Sequence, residues 1–245
     1  MHSIISVIFP EHNQLLPPKE SATSNFNKFV DHMFEYLSAL TTINIVCIAD
    51  QYYIEKRRLY DLFNFLVSLD ICRRTSSHNY IWQGISGLNT VIYNICLTTE
   101  TEIAHNGAKT FFDVGASPTI GTLTHKLLGA FLFFGQNELS IKKLANLFVH
   151  DHGNIKPLLR RLYLVTFFLE KIGLMKHSEL IGFYQLNYDA DQIRIKVLET
   201  MRDKGLFGAN TFEATLSRLD KGFLKAISTD RFEYFEAMIN TQSHE

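Results

Sequence analysis

Hydrophobic residues recur at helical spacing along most of the chain, and the first run of such segments ends in a short aromatic one. The spacing predicts three consecutive helices, at residues 27–37, 42–51 and 54–69. A polar turn follows at residues 76–79, and Tyr-Ile-Trp at residues 80–82 predicts a strand. Three helices followed by a β-hairpin is the order of a winged helix-turn-helix domain, whose third helix can lie in the major groove of DNA.

The third predicted helix begins with charged residues and continues with a clear apolar stripe. It opens with three consecutive cations, Lys56, Arg57 and Arg58, and then becomes strongly apolar. Cations in the first turn oppose the helix macrodipole, which costs ~0.3–1 kcal/mol per exposed charge. The placement is therefore unfavourable for the helix alone. Five residues form the predicted buried stripe: Leu59, Leu62, Phe63, Leu66 and Leu69.

A second copy of this pattern lies further along the chain. Arg-Arg-Leu-Tyr at residues 57–60 recurs at residues 160–163, an offset of 103 positions (160 minus 57). The first helix of the second copy is predicted at residues 124–134. Its other helices are predicted at residues 141–150, with Ser140 as N-cap, and at residues 155–172; a turn at residues 177–182 separates its two strands.

The repeat predicts a mostly α-helical protein with small β wings. We expect two tandem winged helix-turn-helix domains, at residues 24–85 and 117–188. A linker at residues 86–116 is expected to begin as an ordered strand or helix and to end as a flexible connector. The remaining segments are an N-terminal extension at residues 1–23 and a C-terminal helical region at residues 189–245.

The composition is that of an ordinary globular protein, with 46% hydrophobic and 20% charged residues in 245. The formal net charge is −1, so any positive surface for nucleic acid has to be local. Three widely spaced cysteines indicate a reducing compartment and disfavour a disulfide or zinc framework. The longest apolar run, residues 127–134, is far shorter than a membrane-spanning helix, and the first residues lack a signal-peptide pattern. These features predict an intracellular protein.

Residues 54–84 resemble the recognition helix and wing of the E-two-F/DP family of winged-helix transcription factors. The family pattern is Arg-Arg-x-Tyr-Asp at the head of the third helix, a following Asn, and Trp-Gly at the end of the wing. Two winged helices in one chain are similar to the atypical members of that family. The matching positions in this chain are Arg57, Arg58, Tyr60, Asp61, Asn64, Trp82 and Gly84.

The resemblance implies that the first copy reads a G/C-rich duplex. Arginine can bind guanine O6 and N7 with two hydrogen bonds, worth ~1–3 kcal/mol of discrimination. Asp61 follows Arg57 by four residues and Arg58 by three, so it is expected to orient a guanidinium across one helical turn. Tyr60 is expected to support the DNA backbone beside the bases. The predicted DNA-binding residues of the first copy are Lys56, Arg57, Arg58, Tyr60, Asp61 and Asn64.

The second copy departs from the family pattern in ways that favour phosphate attraction over base reading. Leu164 stands where the family has Asp, and the wing has no closing Trp-Gly. Residues 117–187 have eight Lys and Arg against four Asp and Glu, whereas residues 22–85 have six of each. The predicted DNA-binding residues of this copy are Lys156, Arg160, Arg161 and Tyr163.

No pattern in the chain indicates catalysis. Phosphate-binding loops, dinucleotide-binding glycines and a nucleophile elbow are missing from the sequence. His-Asp-His-Gly at residues 150–153 lacks further ligands at metal-binding spacing, so we interpret it as a polar turn. We expect neither an enzyme nor a cofactor, a bound metal or a small-molecule substrate.

Two functions remain open from the sequence. The first is a nuclear, sequence-specific double-stranded DNA-binding protein that regulates transcription, of cell-cycle genes by resemblance. The second is a protein-interaction or scaffold subunit of a nuclear DNA-associated complex, since the charge is near neutral and the second copy has lost part of the motif. Residues 189–245, with ten acidic and eight basic residues, are either a helical cap on the second copy or a docking surface for a protein partner. The two helical stripes predicted there are Phe212, Leu216, Leu219, Phe223 and Ile227, then Phe232, Phe235, Met238 and Ile239.

Overall fold

The computed structural model describes residues 22–136, 138–149, 154–205 and 221–242. The chain is mostly helical and contains two small antiparallel sheets of three strands each, consistent with two winged-helix units. We call these the first unit, residues 22–82, and the second unit, residues 120–186. No helix within the described residues has an apolar stretch long enough to cross a membrane.

The first unit has the predicted order of elements with one addition, a short strand before the second helix. Ile43 is fully buried in this strand and pairs with Tyr80 of the wing. The adjacent Asn44 accepts hydrogen bonds from the backbone N–H groups of Val46 and Cys47, so the helix begins later than predicted. The elements are α1 (Ala22–Ser38), β1 (Ile43–Asn44), α2 (Ile45–Tyr52), α3 (Lys56–Ser68), β2 (Cys72–Arg74) and β3 (Asn79–Trp82).

The second unit repeats the same order, and its sheet has the same strand arrangement, with the last strand between the other two. The predicted N-cap is confirmed, because the Ser140 hydroxyl accepts a hydrogen bond from the Lys143 N–H. The metal-like residues 150–153 and the end of the helix predicted to reach His150 lie outside the described residues. The elements are α6 (Ile120–Phe134), β4 (Glu138–Ser140), α7 (Ile141–Phe148), α8 (Ile155–Lys171), β5 (Met175–His177) and β6 (Phe183–Leu186).

The segment between the units is helical, which corrects the prediction of a flexible connector. It contains α4 (Leu88–Asn106) and α5 (Ala108–Phe112), and α4 packs against α6. The second half of α4 is rich in Thr and Glu, yet Thr99 and Glu100 are buried. Arg231 donates two hydrogen bonds of 2.7 Å to the Glu100 carboxylate, which compensates its burial.

The C-terminal region contains α9 (Ala190–Asp203) and α10 (Lys221–Gln242). α9 packs against α4, and α10 packs against α6 and α7 of the second unit. Phe235 is buried with its ring centroid 4.7 Å from that of Phe134, and Lys143 donates a 2.7 Å hydrogen bond to Glu236. Of the two roles predicted for this region, a helical cap or a docking surface, these contacts are those of a helical cap on the second unit. The predicted stripe positions Phe212, Leu216 and Leu219 lie outside the described residues, as do the side chains of Phe223, Met238 and Ile239.

The two units pack directly against each other. Phe65 of α3 and Phe168 of α8 are both fully buried, with ring centroids 5.1 Å apart. These two residues are equivalent positions of the repeat, since 168 minus 65 is again 103. Equivalent positions of the two units therefore meet at this contact.

Polar and close contacts extend the interface on both sides of the phenylalanine pair. On one side, the amino group of Lys171 in α8 binds the carboxylate of Asp31 in α1. On the other, His125 of α6 lies 2.7 Å from the Ser68 carbonyl oxygen at the end of α3. Gly121 lets α6 approach α3 closely, since a Cβ there would lie 3.1 Å from the Ser68 Cβ.

Candidate nucleic-acid interface

The helix head of the first unit presents the predicted cations to solvent. Lys56, Arg57 and Asn64 are exposed, and all five residues of the predicted apolar stripe are buried on the opposite face. The apolar face of α3 therefore packs on the core, and its basic face is exposed to solvent. Glu55 occupies the N-cap position without a side-chain capping hydrogen bond.

Arg58 is more restrained than Arg57. It is half-buried, its Nε lies 3.6 Å from a Glu55 carboxylate oxygen, and its guanidinium carbon lies 5.7 Å from the centre of the Phe26 ring. A guanidinium held by a neighbouring carboxylate and an aromatic ring has less freedom to reorient toward a base. Arg57 is therefore the freer of these two predicted DNA-binding residues.

Asp61 of α3 is influenced by cations of both recognition helices, whereas the sequence predicted only an arginine of its own helix. Burial raises the pKa of this carboxyl group, while the positive charges of Arg161 and Arg57 lower it. The cation from the second unit thus acts on Asp61 alongside the one from α3. Sequence spacing could predict Arg57, which is four residues away, but had no means to predict Arg161.

Tyr60 connects the recognition helix to the wing. Its hydroxyl oxygen lies 2.6 Å from Nδ1 of His78, at the tip of the β2–β3 hairpin. His78 was not among the predicted site residues, although its position in a polar turn before an aromatic strand was visible in the sequence. The contact fixes the wing relative to α3.

The recognition helix of the second unit also presents cations to solvent. Lys156 and Arg160 are exposed, Arg161 is half-buried, and Tyr163 is 39% exposed. Leu164, at the position of Asp61, is half-buried and packs against the core. This helix therefore has the charges but lacks the carboxylate of α3.

The two wings differ in chemistry. In the first unit, Arg73 and Arg74 are exposed, and Arg74 donates 3.1 Å hydrogen bonds to the carbonyl oxygens of Ser76 and Ser77. These two arginines are candidate phosphate contacts that were not predicted from the sequence. In the second unit, the wing tip is apolar, with Leu180 54% and Ile181 102% exposed.

The described residues contain no group of three or more His, Cys, Asp and Glu side chains suited to a metal ion. The ten predicted DNA-binding residues lie on α3 and α8, and these two helices are in contact through Phe65 and Phe168. The two helices thus contact each other in their C-terminal halves, and the charge of Arg161 also acts on Asp61.

Comparison with known proteins agrees with this geometry for the first unit. Residues 20–84 match the model of the E-two-F/DP family winged-helix DNA-binding domain, a match that ends at the close of the wing. No curated protein matches the chain. The matched domain is of a kind that binds DNA and typically has no enzymatic activity. The first unit, with its cationic recognition helix and polar wing, is therefore an E-two-F/DP winged-helix DNA-binding domain.

Proposed function

We propose that this chain is a nuclear, sequence-specific double-stranded DNA-binding protein that regulates transcription, and that its two units bind one DNA site together. The contact between the recognition helices, centred on Phe65 and Phe168, is the observation that carries the proposal. Two recognition helices held in a fixed relation by such a contact can bind neighbouring parts of one DNA site. This arrangement resembles the atypical tandem members of the E-two-F/DP family, which implies a G/C-rich site and cell-cycle target genes.

The two units have different roles in this proposal. The first unit reads bases, because Arg57 is exposed and Asp61 is close enough to influence it electrostatically. The second unit supplies phosphate attraction through Lys156 and Arg160, which are exposed on a helix with Leu164 in place of the carboxylate. Phosphate contacts position a protein on DNA without reading its sequence.

The experiment that tests this function is binding to a duplex selected from a random-sequence pool, compared with a scrambled duplex across a salt series. Arg160→Ala combined with Arg161→Ala is expected to lower affinity similarly for both duplexes. The slope of log affinity against log salt concentration should also become shallower by ~0.9 for each phosphate that is no longer neutralised. Leu164→Asp is expected to sharpen sequence preference without a large gain in total affinity.

A matched control removes the same charge from the end of α9. Arg202→Ala combined with Lys204→Ala should leave affinity and salt slope close to those of the parent chain, because these residues lie outside both recognition helices. If the Arg160 and Arg161 double variant keeps the parent affinity and slope, the second unit does not bind DNA. Its surface should then be sought in a protein interface.

The effect of Arg161 on Asp61 gives a separate prediction for the two recognition helices, α3 and α8. In a double-mutant cycle measured on DNA affinity, Asp61→Ala and Arg161→Ala should be non-additive, because each changes the electrostatic surroundings of the other. The control cycle pairs Asp61→Ala with Arg160→Ala. Arg160 is exposed, and the cations that lower the pKa of Asp61 are Arg161 and Arg57, so this pair should give additive effects. Additivity in both cycles would rule out coupling across the two helices.

A second candidate function is favoured by the wing of the second unit. Leu180 and Ile181 expose apolar side chains at its tip, and apolar residues in that position are more typical of a protein contact than of a phosphate contact. In this alternative the second unit, or the C-terminal helices, binds a protein partner within a nuclear DNA-associated complex. DNA binding by the full chain with no contribution from Arg160 and Arg161 is the result that favours it.

A further inference from the structure

Tyr53 lies in the turn that connects α2 to α3, and its backbone adopts the left-handed conformation, with φ 54° and ψ 43°. In this region a side chain brings Cβ close to the following carbonyl oxygen, so glycine is the residue that helix ends of this kind usually have. A large aromatic residue at such a position is unusual. Its presence has to be compensated by packing or by function.

Packing does not compensate it. The Tyr53 side chain is 67% exposed, whereas the residues on either side are those that contact the core. Tyr52 is half-buried with its ring centroid 5.3 Å from that of Phe29, and Ile54 is buried. An observed backbone outlier with an exposed side chain points toward a functional contact.

The turn that holds Tyr53 is where a helix-turn-helix approaches the DNA backbone. The second helix of such a unit crosses the backbone while the third lies in the groove, so the turn between them is adjacent to phosphates. Tyrosine hydroxyls are among the groups that donate hydrogen bonds to phosphate oxygens. Glu55, two residues on, has its carboxylate 3.6 Å from Arg58, which offsets its negative charge beside a phosphate.

We propose that Tyr53 is a DNA-backbone contact of the first unit, its phenolic hydroxyl donating a hydrogen bond to a phosphate oxygen. The proposal rests on the proposed DNA-binding function and adds a residue outside the recognition helix. Since a phosphate contact carries no sequence information, Tyr53 contributes to affinity equally on specific and non-specific DNA.

Two variants separate the contact from the backbone effect. Tyr53→Phe removes only the hydroxyl and should lower affinity ~3- to 10-fold, the range for one net hydrogen bond, on both the selected and the scrambled duplex. Tyr53→Gly should show a similar loss of affinity while its melting temperature stays at or above that of the parent, because glycine accepts the left-handed conformation. A Tyr53→Phe variant that binds as the parent does overturns the proposal, whatever the glycine variant shows.

Asp70 offers a matched control. It is the other non-glycine residue with positive φ among the described residues, also at 54°, and it lies at the opposite end of α3. Its equivalent in the second unit is Gly173, so Asp70→Gly reproduces a residue that the same turn already has. This change should leave DNA affinity unaltered. A loss as large as that of Tyr53→Phe would show that the effect is not local to the phenol and would overturn the contact.

The same assay distinguishes failure of this contact from failure of the proposed function. Arg57→Ala is measured in parallel on both duplexes. If Arg57→Ala lowers affinity and Tyr53→Phe does not, DNA binding stands and only the Tyr53 contact is overturned. If the parent chain selects no duplex from the random pool, the DNA-binding function and the Tyr53 contact are both overturned.

Discussion

Replacement of Arg57 with alanine is expected to weaken binding to the best duplex by ~1–3 kcal/mol and to relax the preference at one or two base pairs. The reason is that Arg57 is exposed at the head of α3, while Arg58 is held beside Glu55 and Phe26. The measurement is the binding free energy on the selected duplex and on single-base variants of it. Arg58→Ala should show a smaller loss of discrimination than Arg57→Ala.

The neighbouring cation provides the control for this result. Lys56→Ala removes an exposed charge from the same helix turn, and lysine does not have the planar fork that reads guanine with two hydrogen bonds. It should therefore weaken binding uniformly across sequences and flatten the salt slope. An Arg57→Ala variant that behaves in the same uniform way would show that Arg57 contacts only phosphate.

Replacement of Phe168 with alanine is expected to have the largest effect on stability. Phe168 is fully buried, and its ring meets those of Phe65 and Phe26 of the first unit, with centroids 5.1 Å and 6.2 Å away. Truncation of a buried phenylalanine lowers the free energy of unfolding by ~3–5 kcal/mol through reduced burial and the cavity left behind. Chemical denaturation measures this change. Without this pair of rings, α3 and α8 should be held less firmly relative to each other. The protein that remains folded should therefore bind DNA more weakly.

Phe167 is the matched control, since it precedes Phe168 on the same helix but is only half-buried. Phe167→Ala should lower the free energy of unfolding clearly less than Phe168→Ala does. It should also leave the contact between α3 and α8 in place. If Phe168→Ala is no more destabilising than Phe167→Ala, the two units are not held together by the buried phenylalanine pair. If Phe168→Ala unfolds the chain outright, the milder Phe168→Leu tests the same contact.

Local patterns predicted the helices and hairpins of both units, though not the short strands β1 and β4, because each pattern is satisfied within its own helix or hairpin. The stripe from Leu59 to Leu69 predicted which face of α3 is buried, and the Ser140 N-cap predicted where α7 begins. Backbone hydrogen bonding sets the helical repeat of 3.6 residues, so the buried face follows from spacing alone. The basic head of α3 was likewise evident from residues 56–58.

The segment between the units shows why some of the fold could not be predicted. The polar residues of α4 suggested a connector, but Glu100 is buried because Arg231, far along the chain, neutralises it. Arg194 is also fully buried, and its guanidinium donates a 2.7 Å hydrogen bond to the Ser228 hydroxyl on α10. A charged residue is expected at the surface until its partner is known, and sequence spacing does not provide a partner that lies on another helix.

The sequence by itself determined two similar units, each with a helix that is apolar on one face and cationic at its head. The tertiary structure decided how the two units are combined. Phe65 lies outside the apolar stripe predicted for α3, and no spacing in the sequence pairs it with Phe168; only packing makes them each other's partners. In the same way, the spacing of Arg57 and Asp61 is fixed by their shared helix, whereas the effect of Arg161 on Asp61 depends on how α8 is placed beside α3. Contacts within a helix follow from backbone geometry, but contacts between helices depend on the complementary shapes of surfaces distant in the chain.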